Sequence, residues 1–372
     1  MKVGIPKELK NQEERVGSTT DGVAILVNAG HQVLVEKDAG IGSGYTNQKY
    51  LDAGAKISDV DDVWNSEMII KVKEPIASEY KYFKDGQIIY TYLHLAANET
   101  LTKSLLKSNT TGIAYETIVG PNGGLPLLYP MSQIAGRMAV QVGAHFLEEP
   151  HQGKGLLLSG VPGVRKGKVT IIGGGTVGVN AAKIAIGMGA EVTLLDINAQ
   201  RLAEIEDIFD GKIQTLISNS QNIAKTVKES DLVVGAVLIP GAATPKLVTE
   251  EMIASMEPGS VVVDIPIDQG GLFETSVKAT THDNPTYLVH DVVHYTVANI
   301  PGEVPKTATE ALSSVTMPYA AMIAEGLDKA INNKTIKTGI NTYQGHLTEK
   351  AVADSLQMPY MNIDDVMNAV EV

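Results

Sequence analysis

One stretch, Lys168 to Asp196, limits what this chain can fold into more than any other. It reads as a strand, KVTII, then Gly173-Gly174-Gly175-Thr176-Val177-Gly178, then a helical segment, then a second strand, EVTLLD. Gly173 permits a tight turn, Gly175 lets a pyrophosphate approach the backbone, and Gly178 allows a helix to pack closely on a strand. Free N–H groups at the start of the helix then face the anion. Val177, Ala181, Ile184, Ala185 and Met188 are spaced to share one helical face. Asp196 closes the second strand, where a carboxylate accepts hydrogen bonds from an adenosine ribose and repels a 2′-phosphate, so the expected cofactor is NAD rather than NADP. The alternative is a packing turn with a solvated strand end. No Lys-Ser/Thr follows the glycines, which rules out a Walker-type loop.

The rest of the chain extends this pattern. Short β-rich runs alternate with helical periodicity, so the class is α/β, with parallel sheets wrapped by helices. Strands are expected at Lys2 to Ile5, Gln32 to Glu36, Met68 to Lys73, Gln87 to Leu95 and Gly112 to Glu116, with helices at Thr19 to Asn28 and Glu99 to Lys107. A long helix, Ser132 to Glu149, follows the Gly/Pro-rich segment Gly120 to Pro130 and bridges two lobes. Beyond it, strands are expected at Lys168 to Ile172, Glu191 to Asp196, Asp231 to Leu238, Ser260 to Ile265 and Thr286 to His290. After Pro305 the chain reads as helical to its end, and a tail without strands must pack back on the first lobe. The expectation is two Rossmann-like doubly wound lobes with a cleft between them: a discontinuous substrate domain, 1–130 plus 306–372, and an NAD-binding domain, 131–305. A length of 372 residues accommodates two such lobes.

Composition removes several function classes. Lys and Arg number 30 against 43 Asp and Glu, a net charge of −13 that makes nucleic acid an unexpected partner. There is no cysteine, which excludes disulfides, thiolate nucleophiles and sulfur-ligated zinc and is compatible with a reducing cytoplasm, the expected location. The N-terminus is charged from its second residue and lacks an apolar export segment. The longest apolar stretch, Leu232 to Ala243, is broken by Gly235, Pro240 and Gly241 and is shorter than the roughly 18 residues that span a bilayer. No membrane partner is expected.

Ligands of open α/β sheets bind outside the carboxyl ends of the strands, and four polar residues occupy such places. Lys73 closes MIIKVK before Glu74-Pro75, His94 closes QIIYTYLHL, Asp268 follows VVVDIPI, and Arg15 lies in the loop after the first strand. Each has a plainer reading: Arg15 as a solvated charge, Lys73 as an exposed ion pair with Glu74, His94 as a satisfied buried histidine, Asp268 as a turn cap. Together they suit one chemistry. Removing hydride from a carbon that bears an amine or hydroxyl needs a base that titrates near neutrality, the role of His94. A carboxylate substrate needs Arg15 and Lys73, and Asp268 could orient a water that adds to an imine. His290 and His294 stand at i, i+4 without the Glu of an HExxH site, and no metal site is expected.

At these residues the chain resembles the alanine dehydrogenase family. MKVGIPKE with NQEERV, then KVKEP, TYLHLA, PMSQIAGRMA, the glycine turn, DIPIDQGG, VANIPG and TMPY stand in the family's order from end to end. The resemblance implies that Arg15 and Lys73 hold the substrate carboxylate, that His94 is the acid/base, and that Asp268 assists proton transfer beside the nicotinamide. It also implies cofactor contacts from Ser132, Gly175, Val177, Asp196, Arg201, Ser218, Leu238, Asp268 and Asn299, and a homohexamer that interconverts L-alanine with pyruvate and ammonia. Two departures are visible: Pro266 where relatives usually have a small residue such as Ala, and Thr307-Ala308-Thr309-Glu310 in place of a hydroxyl-rich run. Three other readings remain: a lysine-pathway amino-acid dehydrogenase, a nucleotide-binding subunit related to membrane transhydrogenase, and a catalytically silent nucleotide sensor.

Overall fold

The computed structural model describes residues 1–238 and 243–370. The chain divides into two compact units, Met1–Met131 with Val304–Val372, and Ser132–Glu303.

The first unit begins with six strands: β1 (Lys2–Ile5), β2 (Gln32–Glu36), β3 (Lys56–Ser58), β4 (Met68–Ile70), β5 (Ile88–Thr91) and β6 (Thr111–Ala114). The second unit carries β7 (Lys168–Ile172), β8 (Glu191–Asp196), β9 (Gln214–Ile217), β10 (Leu232–Gly235), β11 (Val261–Asp264), β12 (Thr286–Val289) and β13 (Val292–Tyr295). Two more strands, β14 (Ile340–Tyr343) and β15 (His346–Leu347), come from the tail. This corrects the expectation of a strandless tail: β14 runs antiparallel to β6 and extends the first sheet, with β15 beyond it.

Both sheets are wound alike. In the first the order is β3-β2-β1-β4-β5-β6-β14-β15, with β1 to β6 mutually parallel. In the second it is β9-β8-β7-β10-β11-β13, all parallel, with β12 antiparallel at the edge. The strand order therefore reverses between β1 and β4 in one sheet and between β7 and β10 in the other, the switch points at which such sheets place ligands.

The central strands are uninterrupted apolar runs because helices cover both of their faces. Met68–Ile70, Ile88–Thr91, Leu232–Gly235 and Val261–Asp264 are buried at every residue. Of the strands that the sequence pattern does not signal, β3 and β9 are edge strands with polar, partly exposed residues. β13 is also unforeseen, since it follows β12 after only two residues. The bridging helix runs Tyr129–Phe146, three residues earlier at both ends than its periodicity suggests. The helix after the glycine turn ends at Gly187, which leaves Met188 outside it and 39% exposed, off the buried face to which its spacing assigned it.

Side-chain caps fix the helix starts. Thr19 accepts from the Gly22 N–H, Asn98 from Leu101 and Asn198 from Arg201, each satisfying a backbone donor that the first turn leaves open. Each unit has its own apolar core, one around Trp64, Ile69, Ile89 and Leu105, the other around Ile172, Leu195, Val233 and Phe273.

Candidate active site

In the first unit, Arg15, Lys73 and His94 all follow the carboxyl ends of neighbouring strands, β1, β4 and β5. Arg15 is not a solvated charge; it is 2% exposed. Its Nε and Nη2 donate to the two carboxylate oxygens of Glu13 at 2.6 and 2.5 Å, and its Nη1 to Met131 Sδ at 3.2 Å. A bidentate carboxylate fixes the guanidinium plane. Glu13 gave no signal in sequence because its role depends on this burial.

Lys73 is partly buried and does not form the exposed pair with Glu74 considered above, since Glu74 bonds Lys10. Its main chain is clamped on both sides. Glu8 Oε1 accepts the N–H of Val72 at 2.7 Å and of Lys73 at 3.3 Å, while the Thr91 hydroxyl donates to the Lys73 carbonyl at 3.1 Å. Beneath it, the buried Lys71 ammonium lies 3.2 Å from Glu8 Oε2 and 3.0 Å from Glu79 Oε1. Burial raises the Glu8 pKa, partly offset by Lys71, whereas burial of Lys71 is outweighed by its two carboxylates, which raise its pKa. Burial, followed by the nearby Arg15 charge, pushes the Lys73 ammonium below its usual range. The page of sequence holds no hint of this Glu8-Lys71-Glu79 support.

His94 is exposed, which removes the buried-histidine alternative. It adopts a left-handed backbone, φ 48° and ψ 38°, a conformation a non-glycine residue holds only when its surroundings enforce it. Here Glu116 enforces it by accepting the Leu93 and His94 N–H groups at 3.1 and 2.6 Å. The imidazole lies 6.0 Å from the Tyr92 ring, nearly parallel to it, and the Tyr92 hydroxyl is anchored on the Leu127 carbonyl at 2.6 Å. Burial raises the Tyr92 phenol pKa, so it stays neutral.

In the second unit the glycine turn connects β7 to the helix Thr176–Gly187. Gly173 has φ 109°, and a Cβ there would come within 2.8 Å of the Ala236 carbonyl oxygen. At Gly178 a Cβ would fall 1.8 Å from the Gly173 oxygen, whereas at Gly175 it would meet nothing within 4 Å. No side chain caps this helix, so its leading N–H groups face outward with Val177 in the first turn. Asp196 Oδ2 accepts the Gly174 N–H at 2.7 Å and Oδ1 the Asn198 N–H at 2.9 Å. Arg201 Nε donates to the Gly174 carbonyl at 2.8 Å. Ser218 follows β9 and donates its N–H to the Asp196 carbonyl at 2.9 Å. Leu238, 40% exposed, follows β10. Asn299 follows β13, and Ser132 lies on the helix Tyr129–Phe146 rather than at a strand end.

Asp268 is exposed on a short 3-10 segment, Ile265–Gln269, that includes the buried Pro266. A residue not singled out in sequence, the buried Asp264, holds this loop closed. Its carboxylate accepts the N–H groups of Leu272 at 3.0 Å and Phe273 at 3.3 Å. Burial raises the Asp264 pKa, partly countered by Ser276 and those N–H groups. A Cβ on Gly271 would lie 2.6 Å from Asp264 Oδ2, so the tip tolerates only glycine.

These residues fit a dinucleotide. An open glycine at the helix start, uncapped N–H donors and an oriented carboxylate at the end of the next strand match a pyrophosphate and an adenosine ribose. Asp196 keeps lone pairs for ribose hydroxyls beyond its two backbone bonds.

Family models described as alanine dehydrogenase/PNT, N-terminal domain, and alanine dehydrogenase/PNT, C-terminal domain, match residues 4–135 and 139–350. An alanine dehydrogenase of Staphylococcus haemolyticus is 58% identical over 370 residues, 99% of each chain. A solved L-alanine dehydrogenase superposes with a TM-score of 0.94 at 48% identity, covering 96% of this chain and 99% of that one. A transhydrogenase structure from Sinorhizobium meliloti has a TM-score of 0.83 at 25% identity, covering 93% and 100%. Among the described residues no helix is long and apolar enough to cross a membrane.

Proposed function

The chain belongs to the alanine dehydrogenase family, and from that premise we propose how its residues divide the work of an NAD-dependent amino-acid dehydrogenase that converts L-alanine, reversibly, to pyruvate and ammonia. The observation that carries the reading is the grouping of a guanidinium, an ammonium and an imidazole beyond β1, β4 and β5, in a chain whose second unit carries a glycine turn of the dinucleotide type after its first strand.

Gly173, Gly175, Val177, Gly178, Asp196, Arg201, Ser218, Leu238 and Asn299 with Ser132 would hold NAD, which would supply the acceptor for the hydride of the alanine α-carbon. The cofactor is NAD rather than NADP because the Asp196 carboxylate would repel a 2′-phosphate. Arg15, its plane set by Glu13, binds the substrate carboxylate with two parallel hydrogen bonds. Lys73 adds a second positive charge, which the substrate anion would stabilise. His94 takes the ammonium proton before hydride leaves, returns it to the carbinolamine nitrogen so that ammonia can depart, and then takes the hydroxyl proton as the ketone forms, while Asp268 accepts the proton of the water that adds to the imine. Asp268 orients the water that adds to the imine carbon. A hexamer in the cytoplasm is the assembly and location that the family resemblance supports.

The test is an initial-rate assay of NADH formation on a panel of small amino acids with purified protein. L-Alanine is expected to be the preferred substrate with no partner subunit present, an outcome that the transhydrogenase-like and silent-sensor readings do not allow. His94→Ala should leave NAD affinity nearly intact and cut turnover about 10²-fold or more. Unchanged turnover in that variant removes His94 from the mechanism.

A further inference from the structure

The bridging helix ends in a way that gathers three potential metal ligands outside the catalytic residues. After Phe146 the chain continues in i to i+3 turns: the Glu148 N–H donates to the His145 carbonyl at 3.2 Å and the His151 N–H to the Glu148 carbonyl at 3.1 Å. Glu148 itself is extended, φ −70° and ψ 142°, between the helix end and the single turn Glu149–His151, and this break gathers His145, Glu148 and His151 on one side of the chain. This spacing has no metal signature in sequence, since on an α-helix the first and last would not align.

The ligand atoms converge. His145 Nδ1 lies 3.7 Å and His151 Nε2 3.8 Å from the same oxygen, Glu148 Oε2. All three ligand atoms fall within 4.8 Å of one another, and the two imidazole centroids are 3.9 Å apart. Two zinc bonds of about 2.0–2.1 Å at the tetrahedral angle separate their ligand atoms by about 3.3 Å. Closing the site from these distances takes rotation of the exposed side chains, by about half an ångström for each His–Glu pair and by up to about 1.5 Å between the two imidazole nitrogens.

The surroundings favour a bound cation over a chance meeting of side chains. His145 is in the last turn of an 18-residue helix, whose carbonyl end attracts positive charge. Phe146 meets both imidazoles edge to face, at 5.2 and 5.8 Å, and is itself packed on Tyr295 at 5.7 Å, which limits how the rings can turn. The turn is fixed behind them: Gln152 is left-handed with φ 70°, and a Cβ on Gly153 would fall 2.2 Å from the Phe146 carbonyl oxygen.

We propose that His145, Glu148 and His151 form a surface site for a late first-row divalent cation of the zinc type, two imidazoles and a carboxylate supplying three ligands and water the rest. Neutral imidazoles with one carboxylate suit Zn²⁺, Ni²⁺ or Cu²⁺ and are poor ligands for Mg²⁺ or Ca²⁺. The ion would pin the helix end to the turn that follows, a structural task independent of the redox reading.

The experiment is calorimetric titration of chelator-stripped full-length protein with ZnCl₂, repeated on His151→Gln and Glu148→Gln. One zinc equivalent per chain is expected in the parent protein, weakened about 100-fold or more in both variants, because even outer partners of a metal ligand are worth 10–100-fold. Zinc should raise the thermal midpoint of the parent and not of the variants, while all three oxidise alanine at the same rate without zinc. Magnesium should produce no such equivalent. Zinc binding that is unchanged in both variants places the ion elsewhere and overturns the proposal, as does a parent protein that takes up no zinc.

Discussion

Lys73, the proposed second cation for the substrate carboxylate, is held at a cost to the fold. Its ammonium has its pKa lowered by burial and by Arg15, so the folded chain holds that proton less tightly than the unfolded one. The sign follows from linkage: stability rises with pH wherever the unfolded state binds more protons. The penalty is therefore full below the lowered folded value and fades as pH climbs from there to the ordinary one near 10.4. Lys73→Met should melt no lower than the parent at pH 7, with the difference shrinking toward pH 10. The same change should raise the KM for pyruvate about 30- to 150-fold, the worth of a charge-assisted hydrogen bond of about 2–3 kcal/mol. A variant that melts well below the parent at pH 7, followed by calorimetry, would show that Lys73 supports the fold instead. Asp231 runs in the opposite direction. Burial raises its pKa, but Arg165 at 2.7 Å, Lys154 and the Lys168 N–H outweigh that and bring it down to about 2 from 3.8. Its stabilisation is present above pH 3.8 and is lost as pH falls toward 2, so Asp231→Asn should lower the urea midpoint at pH 7. The loss is at most about 2 kcal/mol, given screening by the half-exposed Arg165, and parent and variant should converge near pH 2.

Among the elements, the strand-turn-helix of the second unit was readable because its physics is local: each glycine answers to atoms a few residues away or on the next strand. Gly178 shows the margin. With the Gly173 oxygen 1.8 Å from any Cβ, Gly178→Ala must push the helix Thr176–Gly187 off β7. An NADH titration followed by its own fluorescence should show affinity lowered by tenfold or more, about 1.4 kcal/mol, with a lower melting point; parent-like affinity would mean that the turn is not the pyrophosphate cradle. What sequence did not disclose are the residues whose meaning comes from distant partners. Glu13 matters because Arg15 is buried, Glu8 and Glu79 because Lys71 lies between them, Glu116 because His94 turns left-handed, and Asp264 because Leu272 and Phe273 return to it. None has a spacing signature, since Glu8 and Lys71 are joined only through the sheet. The short strands failed for a related reason. Gln214–Ile217 and Lys56–Ser58 are edge strands whose polar residues carry no alternation that a window of sequence could register.

At the scale of the molecule, the tail determines how the first unit is closed. Ile340-Asn-Thr-Tyr has strand-forming residues but is only four long, too short for a clear alternation, yet all four are buried as β14. The strand forms because β6 would otherwise be an open edge presenting unpaired N–H and C=O groups, and Thr342 completes the match where the register shifts. Its hydroxyl accepts the Gly112 N–H at 2.8 Å and donates to the Thr110 carbonyl at 2.9 Å, bonds spanning about 230 residues of chain. Gly112 leaves room for it, since a Cβ there would come within 2.8 Å of Thr342 Oγ1. The second unit, by contrast, is one continuous segment, Ser132–Glu303, inserted between the two pieces of the first. Ordering it brings those pieces nearer, because loop closure costs grow with the length of free chain. Thr342→Val keeps the shape and removes only the hydroxyl, leaving a buried N–H and C=O without partners at a cost of about 1–3 kcal/mol. The loss should appear as a lower urea midpoint for alanine oxidation, with reduced hydrogen-exchange protection confined to β6 and β14. NAD affinity should be unchanged, since no residue of the glycine turn or of β8 belongs to that unit. A matching fall in NAD affinity would show that the two units unfold as one, and the discontinuous first unit would then owe its closure to the second unit rather than to its own tail strand.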